Sequence, residues 1–225
     1  RDRSALTSHN AFGSVKWFAS DNLTFKLEYT HMNYLAQQPG GITDKQFYSD
    51  PYTTTRLRNW FKVNWNLLAF TTDYNITQTL RLNVRMFGLD AGREAMGYLG
   101  RADRPDDTTS NRNLNSDKYH NFGSEVRLLK RYSLLGNNSH ILIGGRYYKG
   151  NTDRKQGDAS KGADADFRFL HPDDLENSSY VFPSENVSLF AENIFQLTKK
   201  WNITPGVRLE YISTNSKGYY RLMNK

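Results

Sequence analysis

The stretch Asn186–Ser213 reads NVSLFAENIFQLTKKWNITPGVRLEYIS and decides the fold class of the chain. Its apolar residues lie mostly at every second position, first from Val187 to Leu197 and again from Trp201 to Tyr211. Because successive side chains of a strand point to opposite faces, the stretch predicts a β-hairpin with one apolar and one polar surface. The apolar surface is aliphatic in the middle and aromatic towards its ends, which is typical of a lipid-facing hairpin between two aromatic girdles.

The composition excludes several classes of protein. The 225 residues include no cysteine, which rules out a disulfide framework, a thiolate metal site and a cysteine nucleophile. The mean hydropathy is −0.74, and no segment approaches the ~18 consecutive apolar residues of a membrane-spanning helix, which excludes a helical membrane protein. Barrel strands are apolar only at alternate positions, so these values are compatible with a transmembrane β-barrel.

The chain is basic, with a formal charge of +7 and a pI near 9.5. Such a balance suits nucleic acid, an acidic membrane surface or an anionic ligand. The Lys and Arg residues are spread over predicted strands and loops, however, and do not form one patch. We therefore do not expect nucleic acid as a partner.

The same alternation recurs along the chain and predicts about eight strands. The first six are Ser14–Phe18, Leu23–Tyr34, Arg56–Tyr74, Leu80–Gly88, Asn121–Leu134 and Ser139–Lys149, followed by the two arms of the hairpin. In the third strand, the predicted lipid face carries Phe61, Val63, Trp65 and Leu67, opposite Lys62, Asn64 and Asn66.

The connections between these strands alternate between short turns and long loops, the latter at about 36–55, 89–120 and 150–185. Short turns on one side and long loops on the other are typical of an all-β, antiparallel, up-and-down transmembrane β-barrel with extracellular loops. We therefore predict that residues 1–225 are part of a single barrel domain. If the short turns are periplasmic, both ends of the chain lie at the extracellular rim, which predicts about eight strands from the middle of a larger barrel.

Six stretches carry a resemblance to a known family: QQPGGITDKQF, RNWFKVNWN, FGLDAGREAMGYLG, NFGSEVRLLKRY, DADFRFLHP and the opening hairpin. In this order, they resemble TonB-dependent outer-membrane receptors, particularly the ferric-dicitrate-like branch. The hairpin pattern FAEN…L…TPGVR.E is the most specific of them. The resemblance implies a 22-stranded barrel in the bacterial outer membrane, plugged by an N-terminal domain that lies outside this sequence.

The resemblance also implies a function and partners. Such receptors import a scarce ligand, here an iron-siderophore or ferric-carboxylate chelate, with energy from the TonB complex, which would act through the plug region. The expected partners are therefore the TonB complex, outer-membrane lipid and a small anionic chelate. No intrinsic cofactor and no metal site are expected.

Charged residues on the polar strand faces are predicted to point into the barrel lumen. They either contact the plug and line the transport path, or form a solvated, mutually paired interior without individual roles. The predicted plug contacts are Arg81, Arg85, Glu125, Arg127, Arg146, Glu192, Arg208 and Glu210, and Lys26, Glu28 and Lys62 are further lumen charges.

A second set lies at upper strand ends and in the long loops. Arg forks pair bidentately with carboxylates, so these residues are candidates for binding an anionic chelate, although ordinary loop solvation also accounts for each one. The candidates are Arg56, Arg93, Arg101, Arg104 and Arg112, with Gln37 and Gln38 as neutral donors.

Other patterns do not indicate a site. The five histidines show no metal-binding spacing, and the acidic residues Asp164, Asp166, Asp173, Asp174 and Glu176 lack an EF-hand arrangement. No nucleophile motif is present, and a hydrolase pair of Glu192 and Glu210 has no support from spacing, so we do not expect an enzyme. Two alternatives stay open: a non-transporting structural or adhesive outer-membrane barrel, and a soluble β protein that binds an anionic polymer.

Overall fold

The computed structural model describes residues 2–134 and 136–221, and most of them belong to one antiparallel sheet. The elements are β1 Leu6–Ser20, β2 Leu23–Gln37, α1 Asp44–Ser49, β3 Trp60–Thr77, β4 Leu80–Gly97, β5 Arg112–Leu134, β6 Asn137–Ala159, β7 Ser178–Gln196, β8 Asn202–Ile203, β9 Gly206–Thr214 and β10 Lys217–Tyr220. No helix among the described residues is long and apolar enough to cross a membrane.

From β1 to β7 the strands lie side by side in sequence order, so each strand pairs with the next one along the chain and the topology is up-and-down. The last three segments, β8, β9 and β10, all pair with β7 and together occupy an eighth strand position. Pro205 lies in the break between β8 and β9, where it has no N–H to donate, and its carbonyl accepts a hydrogen bond from the backbone N–H of Asn193 at 3.0 Å. The predicted all-β, up-and-down architecture is confirmed.

The strands are longer than predicted, and the predicted loops at 89–120 and 150–185 are too long. The structure confines these connections to 98–111 and 160–177, because β4, β5, β6 and β7 continue beyond their apolar segments. Their outer halves carry polar residues on both faces, so they lack the alternation that marks a lipid-facing strand.

The predicted loop at 36–55 also needs correction, since β2 continues to Gln37 and the connection contains helix α1. Thr43 caps this helix: its side chain accepts from the backbone N–H of Gln46, and the Gln46 side chain accepts from the backbone N–H of Thr43. The spacing T-x-x-Q is the sequence signature of this capping box.

The register separates the sheet into two faces. We define the exterior face by residues that lie side by side across the strands: Leu82, Leu128, Ile143 and Ala191, and one row further Val84, Val126, Gly145, Leu189 and Leu209. The lumen face is the opposite one, with Arg85, Glu125, Arg146, Ser188 and Glu210 in one row. An apolar exterior and a polar interior are what a transmembrane barrel requires.

The face assignment of β3 is the one that the structure reverses. Phe70 lies beside Met86 of the exterior face, and no register shift separates it from Trp60. Phe61, Val63, Trp65 and Leu67 therefore share the lumen face, whereas Lys62, Asn64 and Asn66 lie on the exterior face. The lipid-facing part of β3 starts at Leu68 and continues towards Thr77. The residues that precede Leu68 belong to a part of the strand that extends beyond the apolar belt, the lipid-facing band of the exterior face, towards the long loops.

A small core lies at the long-loop end of the exterior face. Met96, Leu114 and Ala159 are buried there, and Trp60, Phe167 and Phe169 pack against them. Phe167 and Phe169 belong to the 160–177 loop, so this loop folds back onto the strand ends and covers their apolar side chains.

The register predicts opposite effects for an added charge at two adjacent positions of β4. We expect Leu82→Arg to disrupt assembly in the membrane, since a charge on the lipid face of a barrel is destabilising, by up to about 2–4 kcal/mol at the bilayer midplane and by less towards the interfaces. Asn83→Arg places the charge in the lumen beside Asp73 and is expected to assemble normally. Heat-modifiable migration of the full receptor from outer-membrane fractions measures assembly, and equal loss in both variants would contradict the assignment of the faces.

Candidate functional site

We call the part of the lumen face nearer to the short turns the lower lumen face, and it is a network of paired charges. Arg81 contacts Asp73 at 2.7 Å, Arg208 contacts Glu210 at 2.9 Å, and Glu125 pairs with Arg127. The predicted lumen residues lie on this face: Lys26, Glu28, Arg81, Arg85, Glu125, Arg127, Arg146, Glu192, Arg208 and Glu210. Lys62 does not, because it lies on the exterior face and pairs with Glu94 at 3.0 Å.

The internal pairing favours the interpretation of these residues as a mutually neutralised barrel wall. Contact of individual members with a plug stays a prediction. Arg85 and Glu192 have no ion pair within 4 Å among the described residues, so they have the most capacity left for such a contact.

Arg56, predicted as a ligand-binding residue, is buried and bonded within the protein. The residue is 4% exposed, and its guanidinium donates to the carbonyls of Thr55, Gly100, Arg101 and Arg104. These acceptors belong to two connections, 38–59 and 98–111. Arg56 therefore joins the two loops, and it has little surface left for a ligand.

Arg112 has the same kind of environment at the end of β5. It is fully buried, and its guanidinium donates to the carbonyls of Ser160 and Asp164, to the Ser160 hydroxyl and to the Asp166 carboxylate. By register it also belongs to the exterior face, with Leu114. Burial, saturation and direction all argue against ligand contact.

A third buried arginine, Arg58, completes the connection of the loops. It forms a bidentate pair with Asp106, at 3.0 and 2.7 Å, and donates to the carbonyls of Ser110 and Lys161. The three loops at 38–59, 98–111 and 160–177 are thus linked by buried guanidinium groups.

The other predicted ligand residues lie nearer to solvent. Arg101 is exposed and, among the residues that the structure describes, forms an ion pair with Asp103 alone, and Arg104 is exposed in the same loop. Gln37 ends β2, and Gln38 follows it, with its backbone N–H donating to the carbonyl of Asn59 at 3.0 Å. Their role in ligand binding stays a prediction.

The strongest candidate site is a pair of arginines on the lumen face, held by one carboxylate. Asp117 of β5 lies between Arg93 of β4 and Arg154 of β6 in a single register row. Its Oδ1 accepts from Nε of Arg154 at 2.7 Å, and its Oδ2 pairs with Arg93. The two guanidinium groups are half-exposed, whereas the Asp117 side chain is only 5% exposed.

This arrangement orients the arginines and leaves donors free. Asp117 lies beyond the apolar belt, which on β5 ends at Phe122. Burial raises the pKa of its carboxyl, but hydrogen bonds from Arg154 and Arg93 outweigh burial and hold the pKa below its usual value. One carboxylate thus stays charged between two cations, and the remaining N–H groups of both forks are available to an anion.

Aromatic side chains surround the pair on the same face. The Arg154 guanidinium lies 5.8 Å from the ring centre of Phe182, and Phe182 stacks on Tyr180 at 5.6 Å. Tyr119 donates to Asp117 at 3.3 Å, and Trp65 lies in the adjacent register row. The site therefore offers two oriented cations in a partly aromatic wall.

Sequence reasoning identified Arg93 but missed Asp117 and Arg154, because both were placed in loops. The missed signal was periodicity: Asp117 lies in step with Glu125 along β5, and Arg154 lies in step with Arg146 along β6. Both faces of these outer strand segments are polar, so no apolar face marks the lipid side. Continuing the alternation outward from Glu125 and Arg146 would have placed Asp117 and Arg154 in the lumen.

The acidic residues of the 160–177 loop bond to groups of the chain itself. Asp166 pairs with Arg112, Asp174 pairs with Arg221, and Glu176 bonds to His171 at 2.6 Å. Burial raises the pKa of Glu176, but hydrogen bonds from His171 and from the backbone N–H of Asp158 outweigh it and lower the pKa. Three of the five acidic residues of this loop therefore bond to the chain itself.

Comparison with known families decides the identity of the fold. The family model described as TonB dependent receptor-like, beta-barrel matches residues 2–222. The chain belongs to the TonB-dependent receptor family. This assignment confirms the predicted family, the barrel fold and the localisation in the bacterial outer membrane, and it agrees with the expectation of a receptor rather than an enzyme.

Solved structures show the same fold at low sequence identity. The ferric citrate transporter FecA in its unliganded form has a TM-score of 0.79 at 17% identity, over 97% of this chain and 31% of that chain. The ferripyoverdine receptor of the Pseudomonas aeruginosa outer membrane, bound to ferripyoverdine, has a TM-score of 0.74 at 10% identity, over 98% and 32%. The ferric-catecholate import receptor Fiu from Escherichia coli K12 has 0.69 at 12%, over 97% and 36%.

The chain thus spans about a third of the length of these receptors. A comparison with curated protein sequences finds no match. The sheet described here corresponds to part of a larger barrel, and the total of 22 strands and the ferric-dicitrate-like branch stay predictions.

The buried arginines predict that one substitution opens the 160–177 loop. We expect Arg112→Met in the full receptor to speed tryptic cleavage after Lys161 by at least about tenfold, because removing one partner of a buried ion pair costs roughly 3–5 kcal/mol. The control Arg101→Met removes an exposed arginine and leaves cleavage after Lys161 unchanged. Equal cleavage rates in both variants would show that Arg112 does not hold the loop.

Proposed function

We propose that this chain forms part of a receptor that imports an iron chelate of the ferric-carboxylate type across the outer membrane. The observation that supports the proposal best is the pair Arg93 and Arg154, fixed by the buried carboxylate of Asp117 on the lumen face. The pair lies beyond the apolar belt, on the side of the long loops, where an external ligand enters a barrel.

The chemistry of the pair fits an anionic chelate. Two guanidinium groups and one carboxylate leave a net positive charge, and each fork binds a carboxylate with directed hydrogen bonds. The orientation is present before the ligand arrives, because Asp117 already holds both side chains. Preorganisation of this kind lowers the cost of binding.

Relatives of known ligand support an iron chelate as the cargo. The structures with the same fold are named for ferric citrate, ferripyoverdine and ferric catecholate. The aromatic residues beside Arg154 also suit a siderophore with an aromatic group, so an iron-siderophore is the second candidate within this class. The exposed Arg101 and Arg104, with Gln37 and Gln38, are proposed as further contacts from the rim.

Import also requires a source of energy, which we propose to be the TonB complex acting through a plug in the lumen. The paired charges of the lower lumen face would then form the wall against which the plug rests. A structural or adhesive barrel without transport is the alternative, and it predicts no saturable binding of a ferric chelate.

The proposal predicts a specific loss of affinity. We expect Arg154→Gln in the full receptor to weaken the binding of ferric citrate by about 10–100-fold, since a hydrogen bond to a charged group contributes about 1.5–3 kcal/mol. The Kd is measured by titration of the purified receptor in detergent, with iron-free citrate as the ligand control.

The matched control is the neighbouring residue in the sequence. Lys155→Gln removes the same charge one position further along β6, where the side chain lies on the exterior face, and it is expected to leave the Kd unchanged. Equal effects of the two substitutions would indicate a general electrostatic contribution and refute a site at Arg154. Absence of saturable binding in the unmodified receptor would favour the structural barrel.

A further inference from the structure

The carboxylate of Asp117 lies between Arg93 and Arg154, and its surroundings give it a second consequence besides orienting them. Both of its oxygens are bonded, Oδ1 to Nε of Arg154 at 2.7 Å and Oδ2 to Arg93. The Asp117 side chain is 5% exposed, whereas both arginine side chains are half-exposed. An anion therefore meets the outer sides of the two guanidinium groups, and it does not take the place of the carboxylate between them.

The lumen wall next to these three side chains is uncharged on strands β3 to β7, as far as the structure describes it. The adjacent register rows carry Phe61, Ala95, Asn115, Gln156 and Ser178 towards the loops, and Trp65, Ala91, Tyr119, Thr152 and Phe182 towards the membrane. Asp158 lies one row further towards the loops and accepts a hydrogen bond from Asn111 at 3.1 Å. The two guanidinium groups and Asp117 thus give a local net charge of +1, which would be +2 without the carboxylate.

This difference of one charge bears on a choice that an iron receptor faces, because a carboxylate chelator exists with and without iron. Bound Fe³⁺ neutralises much of the negative charge of the carboxylates that hold it, whereas the iron-free molecule keeps all of its ionised carboxylates unneutralised. A fixed carboxylate beside the two forks therefore repels the iron-free form more strongly than the chelate. Like charges set against the wrong partner are a general source of specificity.

We propose that Asp117 makes the site selective for the iron-loaded chelate over the iron-free chelator. Asp117 is then a specificity-determining residue, because it limits the negative charge that Arg93 and Arg154 accept. The inference rests on the proposed function, since it requires that a ferric carboxylate binds to these two arginines.

A ratio of two affinities separates the charge of Asp117 from its role in orienting the arginines. Loss of orientation weakens the binding of both forms of the chelator and cancels in the ratio. Loss of repulsion favours the more negative form and lowers the ratio. The quantity to measure is therefore the Kd for iron-free citrate divided by the Kd for ferric citrate, from titrations of the purified full receptor in detergent.

We expect Asp117→Asn to lower this ratio at least about threefold, which is the order of effect of one unit charge a few ångströms away through water. Asp117→Glu moves the carboxylate but keeps its charge, so the ratio is expected to stay close to that of the unmodified receptor even where both Kd values rise. Arg93→Gln tests the opposite direction. It leaves Asp117 paired with Arg154 and lowers the local charge to zero, so the ratio is expected to rise.

Asp73→Asn is the matched control, because it removes the same charge from the same face of the sheet. Asp73 shares a register row with Arg127, which is ten residues from Asp117 along β5. This separation is roughly 33 Å, or about three Debye lengths in ~0.1 M salt, so the ratio is expected to be unchanged.

Heat-modifiable migration is measured in all variants, so that misfolding is recognised. A ratio that stays unchanged in both Asp117→Asn and Arg93→Gln, or one that falls equally in Asp117→Asn and Asp117→Glu, would overturn selection by charge while the binding of ferric citrate remained in place. Absence of saturable binding of ferric citrate to the unmodified receptor would refute the proposed function, and this inference with it.

Discussion

The backbone hydrogen-bond ladder between neighbouring strands determines where each strand residue lies. A barrel leaves no backbone polar group unpaired in lipid, so the strands must pair continuously across the membrane. Among the described residues from β2 to β7, the register shifts only beside one turn, between Asn75 and Thr77. Because side chains alternate strictly, this register fixes the face of each residue far beyond the bilayer. It places Arg93 in the lumen and Gly88 on the lipid side of the same strand.

Beyond the membrane, the same residue type has two opposite roles. Arg56, Arg58 and Arg112 are buried, and backbone carbonyls and carboxylates take up their donors, so they connect three loops. Arg93 and Arg154 share one carboxylate and keep half of their surface in the open lumen. The difference comes from burial and from the number of acceptors within reach. The first group connects the loops, and the second group keeps hydrogen-bond donors accessible to an anion.

The hairpin at Asn186–Ser213 carried enough information for the fold, because apolar residues at every second position over two successive segments are compatible with few structures besides paired strands. The site was harder to predict. Arg112 and Arg154 are both basic residues in polar surroundings, and only the folded structure shows that the first is buried under the 160–177 loop. The face of β3 was assigned wrongly because its apolar residues Phe61, Val63, Trp65 and Leu67 lie in the lumen, where they form part of a partly aromatic wall. A sequence pattern shows which face of a strand is apolar, but it does not show whether that face is in contact with lipid or lies in the lumen.

The most direct test of the account is the register between β4 and β5 next to the proposed site. Directly opposed residues of antiparallel strands bring Cα atoms to about 4.5–5.5 Å, within disulfide range. This chain has no cysteine of its own to interfere. Ala91→Cys is predicted to cross-link with Tyr119→Cys on mild oxidation of the receptor in membranes. Efficient cross-linking with His120→Cys instead would mean a register one residue away, which would turn Asp117 out of the lumen and contradict the account.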